Sequence, residues 1–435
     1  MRKIKPYFLK EKTLEDYGFI FFLLGVFFLP STMVIGILFL LPAFAIASIS
    51  LNKPFWKDYW NYPFLIFGFL IITSSIFQNY LFTNNYKEIW DAKLSFIGLA
   101  NWIPFIWIFW ASQPYLNSKS KRRSFSLVLV SGTFPVLITG FGQYFLNWNG
   151  PFETLNGLII WYQRPIVKPG GLTGLFSNQN YAASWLSFVW PFCIALLLEK
   201  GNNLFKKTTA AGFLISTGLA AFLTFSRNAW LGLLTSTPIV IGKKGLKFFL
   251  PLLTITILFL FFLFSPIFEG GLQNDLRSLL PREILLEFTN EGYEGLDVTR
   301  IGIYKSALEL IKENPFFGIG AGSFTEIFFF NTNFWKGHSH NLLFELSISY
   351  GLPATIIFFI TTTNILYLSS KKIFSSKIKI NGTYIDRAFW IALFFFLISQ
   401  LVDVQYFDGK ISLITWILIA GLKNIILDKN YITED

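Results

Sequence analysis

Uninterrupted apolar runs recur along the whole of this 435-residue chain, and they leave it few ways to fold. A bilayer core roughly 30 Å thick is crossed by about 20 apolar residues of helix. Helices and strands that cover a soluble core are apolar on one side only, with periods of 3.6 or 2.0 residues, and these runs show neither. Composition agrees, with 53% of residues apolar and 14% charged against about 25% charged in soluble domains. The sequence therefore describes an all-α polytopic membrane protein, and a soluble enzyme with a membrane tail is excluded.

Twelve segments read as transmembrane helices. The first six cover Tyr17 to Pro30, Met33 to Leu51, Tyr62 to Phe82, Ser95 to Ala111, Phe125 to Leu146 and Tyr181 to Leu198. The others cover Thr208 to Phe225, Ala229 to Ile241, Phe248 to Phe264, Leu342 to Leu368, Ala388 to Leu401 and Ile411 to Leu422. Cytoplasmic loops are enriched in Lys and Arg, and alternate loops, beginning with the N-terminal segment, hold 24 of the 36 basic residues. Both termini are therefore expected in the cytoplasm. The first run follows Lys10 and Lys12 with no small-residue cleavage site, so it is expected to stay as an anchor.

The formal charge of +11 does not point to nucleic acid. A nucleic-acid footprint gathers its basic residues on one folded face, whereas here they sit between apolar runs as insertion signals. The single Cys193 excludes an internal disulfide and a Cys-rich metal site. No Walker loop, no Gly-x-Ser-x-Gly elbow and no Asp-x-Asp pair is present, so activation of a donor must come from elsewhere.

Residues 1–435 are read as one membrane domain with two external loops, 147–180 and 265–341, the larger lying between the ninth and tenth helices. Function concentrates in such loops, because polar side chains are tolerated there at low cost. Within the larger loop, Val298 to Lys312 places Ile301, Tyr304, Leu308 and Ile311 on one helical face, which predicts an amphipathic helix on the outer membrane surface.

Arg227 stands at the outer end of a span, where a cation either snorkels to the interface or meets a ligand. Arg300 opens the amphipathic helix, and a guanidinium suits bidentate binding of phosphate oxygens, though arginines are also common on exposed helices. The run Gly318-Ile319-Gly320-Ala321-Gly322 lacks the strand and helix of a nucleotide fingerprint and reads as a turn packed against a helix. Both histidines of the chain, His338 and His340, fall within one short segment ending at Asn341. Imidazole titrates near neutral pH and suits general acid-base work. Two histidines without nearby carboxylates make a poor metal site, and Ser339 and Asn341 also suit a plain helix cap. Glu345 lies one turn beyond Asn341 and is placed to orient a neighbour.

Four motifs occur in order: Gly174-Leu175-Phe176-Ser177-Asn178-Gln179-Asn180; Phe225-Ser226-Arg227-Asn228-Ala229-Trp230; Arg300 with Asn314-Pro315-Phe316-Phe317-Gly318-Ile319-Gly320; and His338-Ser339-His340-Asn341 with Gly351-Leu352-Pro353. In order and spacing, across about 171–357, this resembles the bacterial O-antigen ligase and O-antigen polymerase superfamily. One departure is Gln179, where relatives often carry Pro between the two Asn residues.

The resemblance implies a membrane-embedded, GT-C-like glycosyltransferase. It would move a glycan from an undecaprenyl-diphosphate carrier to a lipid or glycan acceptor at the periplasmic face of the bacterial inner membrane. It further implies His340 and His338 as catalytic residues, Arg227 and Arg300 as diphosphate ligands, and Asn178, Asn180, Asn341 and Glu345 in support. No cofactor or metal is implied, and the partners are the donor, the acceptor and membrane lipids. A ligase acting on a lipid A-core-like acceptor is the leading expectation. Its rivals are a polymerase extending repeat units on the same carrier, transfer to a protein, a scaffolding relative, and bicarbonate transport, since some superfamily members have been associated with inorganic-carbon accumulation. A transporter should carry charge or broken helices deep in its spans, and the spans read here hold almost no charge at mid-depth.

Overall fold

The computed structural model describes residues 13–50, 54–81, 86, 88–157, 159–161, 163–167, 170–201, 203–268, 270–280, 282, 285, 299–375 and 383–429. The basic residues Arg2 to Lys12, together with Lys53 and Val298, lie outside them.

The first half of the chain forms α1 (Leu14–Phe28), α2 (Met33–Ser50), α3 (Tyr62–Ile76), α4 (Leu94–Gly98), α5 (Ile103–Ala111), α6 (Lys119–Gly132) and α7 (Phe134–Leu146). A short ribbon of β1 (Phe152–Thr154) and β2 (Ile159–Trp161) follows, antiparallel, with Phe152 opposite Trp161. Then come α8 (Gln179–Leu198), α9 (Leu204–Leu223), α10 (Arg227–Ile241), α11 (Lys243–Phe264) and α12 (Gly271–Ser278). The remainder builds α13 (Arg300–Glu313), α14 (Ser323–Thr332), α15 (Leu342–Tyr350), α16 (Leu352–Ile373), α17 (Tyr384–Ser399) and α18 (Gly409–Leu427). Apart from the ribbon, the elements among the described residues are helical, as the sequence predicts.

Among the described residues, eight helical segments are long and apolar enough to cross a bilayer, including Met33–Ser50, Lys119–Leu146, Gln179–Leu198, Leu352–Ile373 and Gly409–Leu427. The protein is therefore polytopic. α8 and α18 form its centre, since 78% and 83% of their apolar windows are buried, whereas α11 lies at the edge with 6%. Large aromatic side chains fill the middle. Trp102 stacks on Tyr406 at 4.4 Å between ring centroids, and the Trp416 indole donates to the Tyr406 hydroxyl at 2.8 Å, so a buried ring finds a polar partner.

Three spans differ from the sequence reading, each at a proline. The segment Ser95 to Ala111 breaks at Trp102, and α5 restarts with Pro104 in its first turn. The segment Phe125 to Leu146 begins earlier, at Lys119, and breaks at Thr133 ahead of Pro135. The stretch Leu342 to Leu368 is two helices, because Gly351 takes φ +89° and Pro353 opens α16. A Cβ at Gly351 would lie 2.1 Å from the Phe316 carbonyl oxygen, so the chain passes through this break with no room for a side chain.

α13 packs on protein by a stripe shifted from the one read in the sequence. In α13 the buried residues are Ile303, Ala307, Leu310 and Ile311, whereas Ile301 and Leu308 are exposed. The buried stripe packs on Trp90, Ile319, Phe324, Phe328 and Ile348, while Ile301 and Leu308 of the stripe read from sequence are left uncovered by protein. The glycine run belongs to the same cluster. The Ile319 amide donates to the Ile348 carbonyl at 2.7 Å, and a Cβ at Gly320 would strike the Trp90 ring at 1.9 Å, which makes this run a close-packed turn.

Buried charge gathers at the end of the bundle opposite the histidines. Arg122, fully buried in α6, donates to Asp386 of α17 at 2.7 Å and to Asp428 beyond α18 at 2.9 Å. Lys423 pairs with Asp58 at 2.7 Å and also donates to Gln113. Removing one partner strands the other in low dielectric, so Arg122→Ala is expected to cost about 3–5 kcal/mol of stability. The thermal midpoint in detergent measures this, and an unchanged midpoint would show that the network holds nothing together.

Candidate active site

The segment from His338 to Asn341 is fixed by its own side chains. Asn341 caps α15, its side-chain oxygen accepting from the Leu343 amide at 2.9 Å and the Phe344 amide at 3.3 Å. Its Nδ2 donates to the Leu401 carbonyl at 3.0 Å, tying the cap to the turn between α17 and α18. Glu345 is buried and accepts from the Ser339 amide at 2.9 Å, so it orients a neighbour as the sequence suggests. His340 itself takes φ +54°, a left-handed conformation that histidine adopts more readily than branched residues.

The turn between α17 and α18 supplies a group absent from the candidates read from sequence. Asp403 Oδ1 lies 2.8 Å from His340 Nδ1 and 3.9 Å from His338 Nε2. Its Oδ2 accepts from Asn180 at 3.0 Å and from Gln405 at 2.7 Å. A carboxylate only accepts, so His340 donates from Nδ1 and leaves its Nε2 lone pair available to act as a base. Burial alone would push the Asp403 carboxyl up. The hydrogen bond from His340, reinforced by the charges of His340, His338 and Arg300, outweighs burial and holds it below the usual carboxylate range.

His338 plays a different part. Its Nδ1 accepts from the His340 amide at 3.1 Å, so it supports the turn, and it is not among the residues lining the adjacent cavity. Burial first, and then the neighbouring His340, pushes its pKa from 6.5 down to about 4. A folded value below the unfolded one means that the neutral form stabilises the turn at and above pH 6.5, and that this contribution fades as the pH falls from 6.5 toward about 4. Amide exchange at Ser339 and His340, corrected for intrinsic rate, is expected to be faster at pH 5 than at pH 7; equal protection at both would remove this role.

The arginines reach the same place from other helices. Arg227 opens α10 after a tight turn in which Phe225 takes φ +50° and Thr224 Oγ1 accepts from the Ser226 amide at 3.2 Å. Gly171 presses on this turn so closely that a Cβ would stand 2.1 Å from the Thr224 carbonyl oxygen. Gln179 holds Gly171 there, its Oε1 accepting the Gly171 amide at 2.6 Å. Asn178 caps α8 through the amides of Asn180 and Tyr181. Arg300 opens α13 and donates to the Val402 carbonyl at 2.7 Å, next to Asp403.

Arg227, Arg300 and His340 thus line one cavity of about 730 Å³, with Asp403, Asn180, Gln179 and Lys336 also in its wall. Asn178, Asn341 and Glu345 act from behind the wall as caps and braces. The cavity joins three cations, a histidine and its carboxylate partner at one end of the bundle. His338, His340 and Asp403, with ligand atoms within 4.8 Å of one another, are also the one group among the described residues able to hold a cation. The fold thereby supplies the carboxylate that the paired histidines lacked in sequence.

The protein is thus a polytopic helical membrane protein with a basic, histidine-bearing cavity at one end of its bundle. Residues 211–359 match the family model described as O-antigen ligase, and the chain therefore carries a domain of the O-antigen ligase and polymerase superfamily. The match supports ligase- or polymerase-type glycan transfer in polysaccharide biosynthesis, in keeping with the multi-pass helical fold. The matched segment takes in Arg227, Arg300, both histidines, Asn341 and Glu345, and leaves Asn178, Asn180 and Asp403 outside. No curated protein matches the chain.

Proposed function

We propose that the protein transfers a glycan from an undecaprenyl-diphosphate carrier to a hydroxyl of a lipid A-core-like acceptor, at the periplasmic face of the inner membrane. Twelve spans with both termini in the cytoplasm would put the cavity on that face. The observation that carries the reading is the 2.8 Å contact between His340 Nδ1 and Asp403 in a cavity that both Arg227 and Arg300 line.

In the proposed reaction His340 Nε2 takes the proton of the acceptor hydroxyl as that oxygen attacks the anomeric carbon of the donor glycan. The bond from this carbon to the diphosphate oxygen breaks, and the diphosphate leaves with the electron pair. Arg227 and Arg300, with Lys336 nearby, hold the charge gathering on the leaving group. Asp403 fixes the tautomer of His340 and stabilises its imidazolium, which then passes its proton to the departed diphosphate or to solvent. These cations take the place a metal would fill, so the reaction is proposed to be metal-independent.

The test is a gel-shift assay with purified protein, an undecaprenyl-diphosphate glycan and a lipid A-core acceptor, run beside Arg227→Ala and with EDTA. A shifted acceptor band that survives EDTA and disappears in Arg227→Ala is the expected result. Lengthening of the donor glycan with an unchanged acceptor would replace the ligase reading with a polymerase. Neither product, with donor still bound, would remove the transferase reading.

A further inference from the structure

A second cavity, of about 600 Å³, lies on the other side of the α8 N-terminus from the catalytic one. The two share a wall. Asn180 faces the first and Tyr181 the second, while Asp403 faces the first and the following Phe407 to Lys410 face the second. None of the segments that carry Arg227 or Arg300 contributes to it. It therefore borders the catalytic cavity where Asn180 and Asp403 stand, and neither arginine lines it.

Its lining pairs aromatic surface with hydrogen-bonding groups. Trp161 of the ribbon is set by its indole N–H, which donates to the Ser31 carbonyl at 2.6 Å. Phe407 adds a second, partly exposed ring. The Lys410 ammonium sits 4.3 Å above the Phe176 ring, and the carbonyls of Pro30 and Leu175 take two of its three protons. Asp408 Oδ1 caps α18 through the Lys410 and Ile411 amides. Among the described residues, Asp408 Oδ2 and the Tyr181 hydroxyl have no hydrogen-bond partner in the protein. Tyr181 also lies in the field of both Asp408 and Asp403, which places it between the two cavities.

A pyranose ring offers an apolar C–H face and a rim of hydroxyls that both donate and accept. A wall of aromatic rings with an ammonium, a carboxylate oxygen and a phenol suits that surface, and a lipid chain would leave the polar groups unsatisfied. We propose that this second cavity binds a terminal sugar of the acceptor glycan and presents its hydroxyl past Tyr181 to His340. The proposal rests on the transferase reading above, and it assigns the acceptor rather than the donor because neither Arg227 nor Arg300 lines the cavity.

The experiment uses the full chain in detergent and two readouts. Titration with deacylated lipid A-core oligosaccharide is expected to show saturable binding that Trp161→Ala and Lys410→Gln each weaken at least tenfold, and that Arg227→Ala leaves unchanged. In the transfer assay, Tyr181→Phe, which removes only a hydroxyl, is expected to raise the acceptor KM about tenfold while the donor KM and kcat stay within twofold. No oligosaccharide binding by the unmodified protein, or equal binding by Trp161→Ala and Lys410→Gln, would overturn the acceptor site. An effect of Tyr181→Phe on the donor KM instead would assign the cavity to the donor and also overturn it. Failure of the transferase reading looks different, because oligosaccharide binding would persist while no variant, and not the unmodified protein, formed product.

Discussion

His340→Ala is expected to lower the rate of glycan transfer by about 10²–10⁴-fold, the range typical of a lost general base, while donor binding changes little. Alanine is less at ease than histidine at the φ of +54° found at this position, so His340→Asn is the companion variant, since asparagine tolerates the left-handed region and offers no base. Equal loss in both, with protein still folded in the membrane, assigns the effect to the imidazole. Full activity in His340→Asn would eliminate the proposed mechanism, whatever His340→Ala does.

Asp403→Asn is expected to be nearly as severe, at about 10²–10⁴-fold in kcat, through a different cause. The amide can keep accepting from Asn180 and Gln405, so the turn stays in place. With its oxygen held toward Asn180 and Gln405 it presents an N–H to His340 Nδ1, which forces the proton onto Nε2 and removes the base. The kcat of Asp403→Asn against that of Asp403→Glu decides the matter. Glutamate restores the charge and should recover part of the rate, whereas equal rates in the two variants would reduce Asp403 to a structural brace.

What the sequence made legible follows from the range over which each signal acts. Apolar run length is local, so the helical, polytopic character could be read directly, and Arg227, Arg300 and His340, each singled out from a short motif, do line one cavity. Asp403 pairs with a histidine 63 residues earlier in the chain. Its own surroundings, Leu401 to Tyr406, show one acid in a short turn, and nothing local sets it apart from an ordinary exposed residue. The packed face of α13 was hidden for a related reason: Ile301 and Ile303 both suit an apolar stripe, and which of them is buried against protein is decided by Trp90 and Phe324, which come from distant segments. The break at Gly351 was visible as Gly351-Leu352-Pro353, but a run-length criterion passes over a single glycine. Gln179 shows the converse, since it gains a meaning only once the Gly171 amide is seen against it.

The passage at Gly351 also acts as a ruler. Phe316 lies against its α-carbon and the Leu352 amide donates to the Pro315 carbonyl at 2.7 Å, so α15 cannot slide along its own axis. Its other end is the Asn341 cap, immediately after His340. One residue gained or lost between these two fixed points would shift the imidazole by about 1.5 Å and swing it through about 100° around the helix, away from Asp403. Elsewhere in the bundle a span can lengthen into lipid by tilting. Between Asn341 and Gly351 the chain has no such freedom, and length itself sets where the His340 imidazole stands against Asp403.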